Sequence, residues 1–95
     1  MNDFFVDLGR RLATAAGRHG AAIDAPVLEG PIADEILELA RVVAHSKERR
    51  FAPLASFVAG IAATRFRQAK PGDDAGVAAL IRDVREELER ESPPA

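Results

Sequence analysis

LARVVAHSKERRFAPLASFVAGIAA, residues 39–63, decides the fold. Leu39, Ala40 and Val43 continue the three- and four-residue spacing begun at Ile32 and Ile36, the period of a helix with one apolar face. The pattern stops near His45-Ser46, gives way to the charged run Lys47-Glu48-Arg49-Arg50, and resumes from Phe51-Ala52-Pro53 as Leu54, Phe57, Val58, Ile61 and Ala62. Two helices joined by a charged turn follow, because proline is tolerated only in the first turn of a helix and so marks where the second begins. The second helix has the broadest apolar surface of the chain and reads as the central one. Ser56, Gly60 and Thr64, with Ala55, Ala59 and Ala63 beside them, form lines of small residues that allow a neighbouring backbone close. Gly60 costs about 1 kcal/mol of helix propensity relative to Ala, which predicts a packing reason for it.

Outward from this hairpin the same rules give two more helices. Asn2 or Asp3 can cap a first helix carrying Phe4, Phe5, Leu8, Leu12 and Ala15 or Ala16 as its stripe, and His19-Gly20 closes it, with Gly20 left-handed. The stretch 21–30 contains Pro26 and Gly30 and reads as a connection that lays Ile23, Val27 or Leu28 on the core. Gly30-Pro31 opens the second helix, with Asp34 and Glu35 placed to favour its positive end. Lys70-Pro71-Gly72 breaks the chain again, and Asp73 or Asp74 caps a last helix with Val77, Leu80, Ile81, Val84 and Leu88 inward and Arg85–Glu89-type pairs on a solvated face. The expected fold is an all-α, small four-helix bundle-like domain with helices at about 3–18, 31–46, 52–69 and 73–91. It forms one domain over 1–95, with a frayed tail from about 92.

Composition bounds the function. Ninety-five residues suit a single core burying roughly 60–70% of the unfolded surface. With no Cys, disulfides, thiolate zinc sites and a Cys nucleophile are excluded. Asp3 and Asp7 interrupt any secretory signal, and no apolar run approaches the roughly 20 residues of a membrane span, so a cytoplasmic protein is expected. His19 and His45 are the only histidines and form no ligand pair at helical spacing, Ser46, Ser56 and Ser92 lack a specified triad partner, and glycine-rich phosphate loops are missing. No catalytic residue, metal or cofactor is therefore assigned, and a non-enzymatic role is expected.

Charge is unevenly placed. Residues 1–40 hold three Arg against seven acids, net −4; residues 41–70 hold seven Lys or Arg against Glu48, net +6; residues 71–95 hold three Arg against seven acids, net −4. Arg41, His45, Arg49 and Arg50 thus surround one turn and are candidate ligands for a phosphate or carboxylate, such as a nucleotide or pterin phosphate. The same placement is also what the helix dipole favours at helix ends, for His45 in particular. Nucleic acid is not indicated, since the chain is acidic overall and no stacking aromatics are interleaved with its basic residues. Phe51 and Phe66, with Phe57, are candidates for an interaction surface, with core filling as the alternative.

The segment 39–63 also resembles a small bacterial all-helical domain family of unknown function, found alone or fused to molybdenum cofactor guanylyltransferase. The resemblance lies in Ala40-Arg41, Val43-Ala44-His45, Arg49, Ala52-Pro53-Leu54, Phe57 and Gly60 with the alanines after it. This chain departs from that pattern at Arg50-Phe51, where Pro-Ala is expected, and at Thr64, where Gly is expected. The resemblance implies an accessory or docking module tied to molybdenum cofactor assembly, with the guanylyltransferase or a second copy of the chain as partner. It assigns no catalytic residue.

Overall fold

The computed structural model describes residues 3–91 and contains four helices and, among those residues, no strand: α1 (Asp3–Arg18), α2 (Gly30–Ser46), α3 (Phe51–Ala69) and α4 (Asp74–Glu91). The fold is all-α and bundle-like, with boundaries within a residue of those read from the sequence. Asn2 as a cap and the tail from 92 lie outside the described residues. Two compact units make up the chain, Met1–Gly30 and Pro31–Ala95.

In the first unit, α1 ends as the sequence foretells. Gly20 takes φ 86°, the Ala21 N–H donates to the Ala16 carbonyl at 2.9 Å, and the Gly20 N–H donates to that of Gly17 at 3.1 Å, which together satisfy carbonyls left over by the last turn. The expected apolar stripe does not become a buried face: Phe4, Phe5, Leu8 and Leu12 are exposed, and the buried residue of α1 is Gly9. The Pro26 carbonyl lies directly over Gly9, where a Cβ would collide with it. That contact fixes the connection on α1 and leaves Ile23 and Val27 in solvent, Val27 at 77% exposure, with Leu28 half-buried. Arg11 donates to Asp7 at 2.6 Å on the surface, and this hydrogen bond raises the Arg11 pKa.

The second unit holds the core, a cluster of Ile32, Leu39, Val43, Ala59, Ala63, Val77 and Ile81, with Ile36, Ala55, Phe66 and Leu88 packed on it. Val77 is fully enclosed. Helix α3 is not the most buried element, contrary to its composition: it contributes only Ala59 and Ala63 to the interior, whereas α2 contributes Ile32, Leu39, Val42 and Val43. The physical reason is that α3 has two apolar faces. Its small face, Ala55, Ala59 and Ala63, is turned to the core, where α4 approaches closely, and its bulky face, Leu54, Phe57, Val58 and Ile61, is turned to solvent.

Gly60 belongs to neither contact. A Cβ there would meet nothing within 4 Å, and its backbone has no positive φ, so the packing reason expected from the sequence does not hold. Gly60→Ala is therefore expected to stabilise the protein by about 1 kcal/mol through helix propensity alone, read as a rise in the urea midpoint. Thr64 and Ser56 satisfy their hydroxyls within the helix, donating to the carbonyls of Gly60 at 3.1 Å and Ala52 at 3.0 Å.

The α3–α4 connection is a tight turn with Gly72 at φ 85°, closed by the Asp73 N–H donating to the Lys70 carbonyl at 3.3 Å. Asp73, rather than Asp74, is the cap, accepting from the Gly76 N–H at 2.9 Å. Asp73→Ala removes that acceptor and should cost about 1 kcal/mol, seen as a fall in thermal midpoint that Asp73→Asn largely avoids. Across the helices, Glu35 does not act in the first turn of α2, which begins five residues earlier at Gly30. It is largely covered and takes Arg85 at 3.4 Å and Arg82 at 3.6 Å from α4. Arg85 also donates to Glu89 at 2.7 Å, the pair read from the sequence, but its side chain is only 17% exposed, so this part of α4 is not a solvated face. The Glu89 hydrogen bond raises the Arg85 pKa against the opposing effect of burial, with Glu35 adding to the rise.

Candidate functional site

The basic turn is built from the end of α2 and the four residues before α3. The Lys47 N–H donates to the Val43 carbonyl at 2.9 Å and the Phe51 N–H to that of Glu48 at 3.0 Å, so the link is a chain of tight local turns. Arg41, His45, Arg49 and Arg50 are all exposed. Arg41 is held by Glu38 at 3.0 Å and Arg50 by Glu48 at 2.9 Å, each pair among near neighbours. Such exposed pairs contribute about 0–1 kcal/mol and leave both partners largely solvated. Arg41 and His45 share a face of α2 one turn apart, while Arg49 and Arg50 sit in the link. Among the described residues there is no group of three or more His, Asp or Glu placed to hold a metal ion, and no helix is long and apolar enough to cross a membrane.

A different feature dominates the surface of the second unit. Leu39 and Val43 of α2, Ala55, Val58, Ala59 and Ala62 of α3, and Leu80, Ile81, Val84 and Leu88 of α4 line one open groove of about 380 Å³. No lining residue carries a charge or a polar side chain. The groove continues past Val58, Ala62 and Leu80 to Ile61, Phe66 and Arg65. Its rim is the bulky face of α3, where Leu54 and Val58 are each 63% exposed and Phe57 71%.

Of the three Phe residues expected to offer an interaction surface, Phe51 is exposed, Phe57 more so, and Phe66 packs on the core with Lys70 5.9 Å above its ring. Phe66 is therefore drawn inward, because the tight turn to α4 brings Gly76 against it. The bulky stripe of α3 and its line of alanines are both legible in the sequence, but the choice of the alanines as the inward face, which opens the groove, is not. The signal was present in the spacing: Leu54, Val58 and Ile61 repeat at steps of four and three beside the separate line Ala55, Ala59 and Ala63.

An open apolar groove rimmed by exposed Leu54, Phe57 and Val58 is the kind of surface on which another molecule binds. A groove between packed helices, without polar side chains to orient a small ligand, suits the apolar face of a helix. Among curated proteins and solved structures, none matches the chain. A family model does, over residues 3–95, and the chain accordingly belongs to the family described as Domain of unknown function (DUF6457).

Proposed function

We propose that this domain is a non-enzymatic accessory module that works by docking an apolar helical surface into the groove between α3 and α4. The observation that carries the reading is the groove itself, lined by apolar side chains from three helices and rimmed by exposed Leu54, Phe57, Val58 and Ile61. The absence of an assigned catalytic grouping in the sequence is consistent with it. The resemblance of residues 39–63 to a domain fused in some proteins to molybdenum cofactor guanylyltransferase supports a place in molybdenum cofactor assembly, in the cytoplasm of a bacterial cell. Calorimetric titration of the domain into purified guanylyltransferase tests that link. Binding that Val58→Asp abolishes supports it, and a flat titration with the wild-type domain removes the molybdenum connection.

A second reading assigns anion binding to Arg41, His45, Arg49 and Arg50, on the ground that all four are exposed around one turn. It predicts that a nucleotide or pterin phosphate raises the thermal midpoint and that Arg49→Ala, or Arg41→Ala, cancels the rise. An unchanged midpoint at millimolar ligand disposes of it.

A further inference from the structure

We infer that the occupant of the groove is a second copy of this chain, docked antiparallel about a two-fold axis. The inference rests on the interaction-module reading of the same groove, and charge selects the partner. On α3 the exposed seam runs Leu54, Val58, Ile61, Arg65, and on α4 the matching seam runs Leu80, Val84, Glu87, Glu91. Both follow steps of four, three and four, the spacing of side chains that interlock between helices. Each seam is apolar through its first three or two positions and charged at its C-terminal end.

The helices of the hairpin run in opposite directions. Their short turn, the Arg67–Asp74 pair at 3.6 Å and the approach of Phe66 to Gly76 place the end of α3 beside the start of α4. Arg65 therefore lies at one end of the groove, and Glu87 and Glu91 lie at the other. Residues 51–64 of α3 carry no charge between them.

An apolar surface with a basic end and an acidic end is complementary to itself when one copy is turned end for end. A two-fold axis across the groove brings Arg65 of each copy to Glu87 and Glu91 of the other, twice over, while Val58, Ile61, Leu80 and Val84 meet in the middle. A parallel arrangement sets acid against acid and base against base. The product is a four-helix interface made from two α3–α4 hairpins, which covers the bulky face that α3 leaves exposed.

Sedimentation equilibrium of the full chain, alongside circular dichroism to confirm helicity, tests this with the wild type and three variants, one of them Val58→Asp. The wild type is expected to be dimeric at roughly 100 μM, as it would be for any Kd near or below about 1 μM. Arg65→Glu sets like charges at both ends and is expected to raise the Kd at least about tenfold. Adding Glu87→Arg and Glu91→Arg to that variant reverses both ends, restores complementarity and should restore the dimer. A monomeric wild type overturns the inference, as does a dimer whose Kd is left unchanged by Arg65→Glu or by Val58→Asp. A monomer that still binds guanylyltransferase through Val58 removes the second copy as occupant and leaves the module reading standing. A dimer broken by Arg65→Glu and rebuilt by the reversal supports the inference whether or not the guanylyltransferase binds.

Discussion

Leu39→Ala is expected to cost about 2–5 kcal/mol of unfolding free energy, while Leu37→Ala, the same change two residues away in the same helix, should fall within about 0.5 kcal/mol of the wild type. Leu39 is 6% exposed and belongs to the core cluster; Leu37 is 67% exposed. Two residues along a helix turn the side chain by roughly 200°, so consecutive odd positions face opposite ways. Removing the Leu39 side chain takes away burial and leaves a cavity between α2, α3 and α4 that packed neighbours fill only in part. For a domain of this size each kcal/mol moves the thermal midpoint by about 4–8 °C, so Leu39→Ala should lower it by at least about 8 °C. Denaturant unfolding followed by circular dichroism measures both variants. Equal losses at the two positions would mean that α2 is rotated from the orientation described.

The second large effect is at Gly9. A helix-interior glycine replaced by alanine ordinarily gains about 0.5–1 kcal/mol, and Gly17→Ala should do so, since a Cβ at Gly17 meets nothing within 4 Å. Gly9→Ala should instead lose about 1–3 kcal/mol, because its Cβ collides with the Pro26 backbone carbonyl, an atom that no side-chain rotation can move aside. The connection 21–29 must then lift from α1. Faster proteolysis within that connection and earlier hydrogen exchange at the Gly9 turn are the readouts, with Gly17→Ala as the control. A stabilised Gly9→Ala protein would show that the connection does not rest on α1.

The stripe Ile32, Ile36, Leu39, Ala40, Val43 already excluded Leu37, because the helical period assigns a face without reference to any partner. The helix ends were legible for the same local reason. Gly20 and Gly72 sit where a left-handed residue is required, Asp73 stands where an acceptor can reach three residues on, and Pro31 and Pro53 can enter a helix only in its first turn. Gly9 and Gly17, by contrast, are indistinguishable as letters. Only the path of a segment seventeen residues downstream, with Pro26 laid against α1, separates them.

The candidate site divides in the same way. Clustering of Arg41, His45, Arg49 and Arg50 along the chain is a local property and was visible at once. Their engagement is also local, since Arg41 turns to Glu38 and Arg50 to Glu48. The groove is not local. It needs Leu39 and Val43, Val58 and Ala62, and Leu80 and Val84 from three helices at once, and it needs α3 to bury its alanines instead of its larger side chains. Composition favours the opposite choice, because a phenylalanine gains more from burial than an alanine does. The structure resolves it through distance: small residues facing inward let α3 and α4 close on each other while α2 packs its side chains onto the same core, and that packing leaves Leu54, Phe57, Val58 and Ile61 outside.

By itself, then, the sequence determined four helices, their ends, their apolar stripes and the basic turn, all of which depend on side chains within a few residues of one another. Only the tertiary structure decided which stripe of α3 became core and which became the wall of a groove, which glycine lies under a carbonyl, and that Glu35 reaches across to α4 instead of serving the start of its own helix. Each of those outcomes depends on the separation of atoms far apart in the chain, and helical periodicity carries no information about that separation.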